Sequence, residues 1–281
     1  MLTYATDEFA PYLKDVVVDA GWAEPGEDLL ALGDLPAALA TVGRITDLQQ
    51  VVSVGDPNGP RAALTDALLQ APANLLLADT VDCEHVWRWY ASSREITDLI
   101  LDETAFAECR AQVQALGLPY RIVETSASWV DRLRQSSWGS AFLAIEGHHP
   151  EGLRPAPQLP DIVKRSFYGL ISGAQQPDFA SPERTLFWVA WTPPARSQGV
   201  LADALGYISS LGADLRHIRS VRLGPLRRAF VAVLAFPDPA RAAELRDHFA
   251  AADVRSRILA QVPDPQVDDD EATLLQPTWS A

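Results

Sequence analysis

The stretch that most constrains this chain runs from Arg184 to Pro263. Residues 186–191 (LFWVAW) form a β-branched and aromatic run, too short for a helix and closed by Pro193 and Pro194, which reads as a buried strand. From Gly199 to Leu211, the residues Val200, Leu201, Ala204, Leu205 and Ile208 fall at helical spacing, and Gly212 supplies the stop. Two strands follow at 215–223 and 228–236, joined by the Gly224-Pro225 turn. Pro237-Asp238-Pro239 opens a second helix with Ala242, Leu245 and Phe249 on one face, and residues 254–262 return as a strand. Two helices over one four-stranded antiparallel sheet bury both apolar faces, so the expected module is ferredoxin-like, βαββαβ.

Upstream, the pattern is α/β. Strands are expected at 2–5, 28–32, 47–55 and 74–77, with helices at 12–20, 36–42 and 61–70 and a turn at 56–60. Residues 82–89 bring His85, Trp87 and Trp89 to alternating positions as the chain crosses from one lobe to another; the tryptophans are candidates for a cleft wall or for core. Then come a strand at 97–101, a helix at 104–116 with Phe106, Cys109, Val113 and Leu116 inward, and a strand at 120–123. A helix at 129–136, a strand at 141–145, a Pro-rich loop at 148–160, a short helix at 161–165 and a strand at 167–174 complete the order. This alternation predicts mainly parallel sheet. The chain's 281 residues suffice for a two-lobed domain over 1–180, its second lobe at about 82–160, and a small domain over 184–263. Residues 264–281, with Asp268-Asp269-Asp270-Glu271, read as an acidic tail.

A net charge of −14 opposes binding to phosphate backbones or anionic lipid, so neither nucleic acid nor membrane is an expected partner. An anionic substrate therefore needs a locally positive pocket. No apolar run approaches about 18 residues and no basic segment precedes one, which predicts a cytoplasmic protein without span or signal peptide. Cys83 and Cys109 read as reduced thiols. Cys83-Glu84-His85 and His148-His149 lack a third convergent ligand, so no metal and no cofactor is expected.

The helix start Gly199-Val200-Leu201, followed by Ala204-Leu205, resembles the Gly-Ala-Leu helix start of the ACT regulatory domain of prephenate dehydratases. Residues 258–263 (ILAQVP) resemble that family's closing strand. Ala105-Phe106-Ala107-Glu108-Cys109 resembles its Ala-Leu-Ala-Gln-Cys helix, and Tyr168-Gly169-Leu170 its Tyr-Gly-Leu. The resemblance covers essentially the whole chain. It implies a two-lobed catalytic domain like periplasmic binding proteins, with the substrate in the cleft, followed by an ACT domain. It also implies a small-molecule anionic substrate, an amino-acid effector and a homodimer or homotetramer.

On that resemblance, Thr185-Leu186-Phe187 stands where the family has Thr-Arg-Phe, which makes Thr185 and Phe187 the candidate catalytic residues. Leucine replaces the arginine, and Arg184, on the same strand face at roughly 7 Å from that position, is the candidate counter-charge. Thr125-Ser126-Ala127-Ser128 resembles a Thr-Ser-Thr-Ala substrate loop, making Thr125, Ser126 and Ser128 candidate carboxylate binders; an ordinary helix N-cap is the alternative. Gly199, Val200, Leu201, Arg219 and Ser220 are candidate effector contacts, although Arg219-Ser220-Val221-Arg222 replaces the family's Glu-Ser-Arg-Pro. Ala5-Thr6-Asp7-Glu8-Phe9 replaces a glycine-rich loop, and Leu101-Asp102-Glu103 replaces Ser-His-Pro. Those two acids are either a solvated helix start or part of a pocket rebuilt for a cationic group. The leading expectation is a prephenate-type lyase. The alternatives are a non-aromatising prephenate or aminodeoxyprephenate decarboxylase, and a non-catalytic binder.

Overall fold

The structure, a computed structural model, describes residues 1–6, 12–56, 59–124, 127–149, 151–173, 176–180, 185–193, 199–224 and 227–264. Thr125, Ser126, Arg184 and residues 265–281 of the acidic tail lie outside them. The chain divides into two compact units. Unit 1 holds Met1–Glu8, Asp28–Val81 and Phe167–Ala281, and unit 2 holds Phe9–Glu27 and Asp82–Ser166.

Unit 1 begins with the strands β1 (Leu2–Ala5), β2 (Leu30–Leu32) and β3 (Gln49–Asp56), with β1 parallel to both others. Helix α2 (Leu35–Val42) starts where Asp34 accepts from Ala37 N–H at 3.0 Å. A short β4 (Gly59–Pro60) and helix α3 (Ala62–Gln70) follow, and then the first part of β5 (Leu76–Ala91). The last part of β10 (Ile162–Ser172) returns antiparallel against β3. Gly169 shows why that strand carries a glycine. A Cβ there would lie 2.9 Å from Val54 Cγ2 and 3.2 Å from the carbonyl oxygen of Asp79, and would strike Leu77. The glycine of the Tyr-Gly-Leu motif is thus a packing requirement of this sheet.

The rest of unit 1 is the expected βαββαβ module: β11 (Thr185–Thr192), α6 (Val200–Ser210), β12 (Asp214–Gly224), β13 (Arg227–Ala235), α7 (Ala240–Ala251) and β14 (Arg255–Pro263). Its strand order is β12-β13-β11-β14, all antiparallel, which is the ferredoxin-like arrangement. Strand β11 shows how the module is held. Phe187, Val189 and Trp191 point to the helix side with Ala204, Ile208, Leu245 and Phe249. Leu186, Trp188 and Ala190 point the other way, into a core shared with Leu39, Leu64 and Leu68 of α2 and α3. Being covered on both faces is why this strand reads as an uninterrupted apolar run. The module therefore shares one core with the first α/β layer.

Unit 2 takes helix α1 (Leu13–Asp19) and the remainder of β5, then β6 (Asp98–Asp102), α4 (Glu103–Ala115), β7 (Tyr120–Val123), α5 (Trp129–Arg134), β8 (Ser140–Ile145) and β9 (Arg154–Pro155). Strands β7, β6 and β8 run parallel, and β5 joins β8 antiparallel. The short helix expected at 161–165 is instead the start of β10, because Ile162 is buried and Val163 exposed in strand alternation. Ala105 and Cys109 of α4 are fully buried, while Glu108 accepts a 2.7 Å hydrogen bond from the Tyr12 hydroxyl. Burial raises the Glu108 carboxyl above its ordinary range, and the Tyr12 bond opposes the shift. Among the described residues no helix is long and apolar enough to cross a membrane.

Candidate functional site

Unit 2 contains a cavity of about 400 Å³, in the size range of small-molecule sites. Trp87 of β5 and Leu143, Ala144 and Ile145 of β8 make its apolar wall. This wall follows from register, since Trp87 stands opposite Ile145 and Trp89 opposite Leu143 in the antiparallel pair. Trp129 and Arg132 of α5, Asp102 at the end of β6, and His148 and His149 beyond β8 supply the polar and aromatic remainder.

The electrostatic centre of this pocket is a buried ion pair. Asp102 caps α4, accepting from Ala105 N–H at 2.8 Å through one oxygen, and its second oxygen takes the Arg132 guanidinium at 3.1 Å. Arg132 is 6% exposed and Asp102 7%. The guanidinium also donates to the Glu124 carbonyl at 3.4 Å and lies 4.7 Å from the ring centre of Trp129. A charge this deep is tolerated when paired and hydrogen-bonded on several sides. Asp102 is thus the helix start that its position suggested, but it is buried and ion-paired, whereas Glu103 is exposed to solvent.

The two histidines differ. His148 Nε2 is bonded to Asp15 of α1 at 2.8 Å. The His149 ring stacks on Tyr90 with centroids 4.0 Å apart and planes at 7°. Nearby, His85 packs on Tyr12 at 4.2 Å; burial lowers its pKa, and the charge of His148 adds to the shift.

Ser128 is the one described member of the expected carboxylate-binding loop that lines this cavity besides Ala127. It is the N-cap of α5, accepting from Asp131 N–H at 3.2 Å, and its hydroxyl donates to Asp131 Oδ2 at 2.7 Å. Thr185 belongs to unit 1, where it is buried at the start of β11 opposite Pro263. Phe187, expected near the chemistry, is a core residue: it is 0% exposed, 6.0 Å from Phe179 and 5.9 Å from Phe236 between ring centres. Gly199 holds a φ of +88° at the N-cap of α6, a conformation that favours glycine. Val200 and Leu201 pack against the module core, and Ser220 is exposed on β12. Arg219 is engaged by α3, donating to Thr65 Oγ1 at 2.9 Å and Asp66 Oδ1 at 2.6 Å.

Sequence reasoning missed Arg132 and discounted His148 and His149. The signal for Arg132 was available. An aspartate ending the apolar strand DLILD requires a cation, and Arg132 stands three residues after Trp129, on the same face of a short helix.

No protein-family model matches the sequence, and no curated protein sequence does. Solved structures do match. The prephenate dehydratase of Staphylococcus aureus subsp. aureus Mu50 superposes with a TM-score of 0.68 at 16% identity, covering 93% of this chain and 99% of that one. The prephenate dehydratase of Arthrobacter aurescens, solved in complex with L-Phe, gives 0.65 at 18% identity, covering 94% and 90%. GqqA, described as a novel type of quorum-quenching acylase, gives 0.60 at 16%, covering 94% and 98%. At these identities the likeness establishes the architecture: this chain has the prephenate dehydratase fold along more than nine-tenths of its length.

Proposed function

We propose that this protein is a divergent lyase of the prephenate dehydratase type, acting on prephenate or a close cyclohexadiene analogue. The observation that carries the reading is Arg132, a buried guanidinium on the wall of an aromatic and aliphatic pocket, within a chain that has the dehydratase fold. Such a pocket suits a six-membered ring bearing carboxylates. Apolar walls take the ring, and the guanidinium takes an acid group with directed N–H donors.

The reaction asks little covalent chemistry of the protein. The ring carboxylate leaves as CO2, its bonding pair moves into the ring, and the ring hydroxyl departs as water after receiving one proton. Aromatisation supplies the driving force. The chain's part is to hold the acid arms, exclude water and place a proton donor beside the hydroxyl. His148 and His149 are the titratable donors that line the cavity, and Thr185 remains the donor implied by the motif resemblance. The amine-bearing analogue is the weaker substrate, because Asp102 is committed to Arg132 and to the α4 cap. Acyl hydrolysis, the activity of GqqA, is not extended to this chain, because the Ser128 hydroxyl is turned to Asp131 as part of a helix cap.

In the same reading the module over 184–263 is an ACT domain that takes an amino-acid effector at Gly199, Val200 and Leu201. The L-Phe complex of the A. aurescens enzyme supports this role. Arg219, which donates to Thr65 and Asp66 of α3, would join that contact only by giving up these bonds. A homodimer through the module fits β12, which ends the sheet and pairs on one side with β13.

The test is incubation of the purified chain with prephenate, with products identified by NMR and mass. Phenylpyruvate formed faster than the uncatalysed background establishes the lyase. A dihydro-hydroxyphenylpyruvate establishes the non-aromatising decarboxylase instead. Prephenate recovered at the background rate sinks both and leaves a binding protein.

A further inference from the structure

We propose that His149 is the second cationic anchor of this pocket, and that a dianionic ring acid binds with uptake of a proton onto its imidazole. The inference deepens the lyase reading and rests on it for the ligand's charge.

The Arg132 guanidinium and the Asp102 carboxylate that line the cavity cancel at 3.1 Å. Asp15, 2.8 Å from His148 Nε2, offsets a charge on that ring in the same way, in a chain whose net charge is −14. The fixed charges therefore offer a dianion no net attraction, and a histidine must become positive for both acid arms to be held.

Three observations select His149. It lines the cavity. Its Nδ1 is buried and has no hydrogen-bond partner among the described residues, which leaves the ring with an unmet hydrogen-bonding capacity. Its ring lies flat on Tyr90 at 4.0 Å, and an aromatic face stabilises a cation above it. His148, by contrast, already has Asp15 on Nε2. The other charged and titratable groups around the two histidines are Arg132 and Asp102 from α5 and β6, His85 and Tyr90 from β5, Asp15 from α1, and the exposed Glu146, which is paired with Arg88.

The sign follows from linkage. A ligand that favours the imidazolium is bound most tightly in acid and more weakly as pH rises through the histidine's midpoint in the complex. Between the free and bound midpoints the slope is up to about tenfold per pH unit.

The experiment is calorimetric titration of the full chain with ring-hydrogenated prephenate, which keeps both carboxylates and the hydroxyl but has no diene to aromatise. It is run at pH 7.5 in phosphate and in Tris, whose ionisation heats differ. The expected result is buffer-dependent heat corresponding to uptake of about one proton. In His149→Gln the buffer dependence disappears and Kd rises about tenfold. Tight binding with no buffer dependence overturns this inference alone, as does uptake that survives in His149→Gln and vanishes in His148→Gln. Failure of the unaltered protein to bind the analogue overturns the lyase reading together with this one. Should His149→Gln not fold, NMR of 13C-labelled histidine in the unaltered protein decides: the His149 midpoint moves to higher pH on saturation, and an unmoved midpoint rejects the proposal.

Discussion

Arg132 and Arg257 are two guanidinium groups withdrawn from solvent, one in each unit, and their surroundings are opposites. Arg257, on β14, donates four hydrogen bonds, to the carbonyls of Leu68, Ala71, Pro72 and Leu75 at 2.9, 3.1, 2.7 and 3.1 Å. These oxygens belong to the last turn of α3 and the loop beyond it, where a helix leaves its carbonyls unmatched and its dipole favours a cation. Burial lowers the pKa of this guanidinium, and the four carbonyls that accept from it are all neutral. Arg132 instead meets a buried carboxylate and an aromatic face, and lines a cavity. One arginine is used up by backbone and ties the module to α3. The other is held in place by Asp102 while part of its surface faces a space for a ligand.

The sharpest way to break this comparison is Arg132→Met. It leaves Asp102 buried without its cation, so urea unfolding is expected to show a loss of about 3–5 kcal/mol, the cost of orphaning one member of a buried pair. Binding of the ring-hydrogenated diacid is lost as well. Pairing the change with Asp102→Asn removes the orphaned charge and keeps an oxygen for the α4 cap. The double variant is expected to regain most of the stability and none of the affinity. If affinity returns along with stability, Arg132 is a structural group like Arg257 and the pocket reading fails.

The contrast also shows what could be read from the sequence. The βαββαβ module was legible because its strands and helices are punctuated by Pro193, Gly212 and the Pro237-Pro239 pair, and because β11 is covered on both faces and so is apolar throughout. The start of β10 was misread because four or five residues with mixed polarity fit either period, and the choice falls to the burial of Ile162. The pocket was harder. Its polar groups come from β6, α5 and the turn after β8, which are distant in sequence and are brought together by the parallel register of β6 with β8. Motif matching pointed to Thr185-Leu186-Phe187, a segment whose apolar character is explained by core packing. Local pattern reports the element a residue stands on; a convergent site depends on long-range register, which one sequence does not display.

A second test approaches from the other side. Arg257→Met removes a cation from four carbonyls at the α3 C-terminus. Several of these oxygens reach water on relaxation, so the expected loss in urea unfolding is about 2–3 kcal/mol, below that for Arg132→Met. Affinity for the diacid should stay within about twofold, since the Arg257 guanidinium is committed to four backbone carbonyls. A large fall in affinity at unchanged stability would place Arg257 at a ligand site and erase the distinction between the two arginines.

The smallest effect separates two roles at one residue. Ser128 both caps α5 and lines the cavity. Its oxygen accepts from Asp131 N–H at 3.2 Å, and its proton is directed to Asp131 Oδ2 at 2.7 Å, so both of its hydrogen-bonding capacities are in use within the helix turn. A residue so engaged contributes as a cap: Ser128→Ala is expected to lower stability by about 1 kcal/mol and to change diacid affinity less than threefold. Ser128→Asp keeps an acceptor for the cap and adds a negative charge at the cavity wall, so it should restore stability while weakening a dianion further. An alanine variant that folds with full stability but binds tenfold more weakly reverses the assignment. The hydroxyl would then turn from Asp131 to the ligand, and the anion site would extend along the wall from Arg132 to the start of α5.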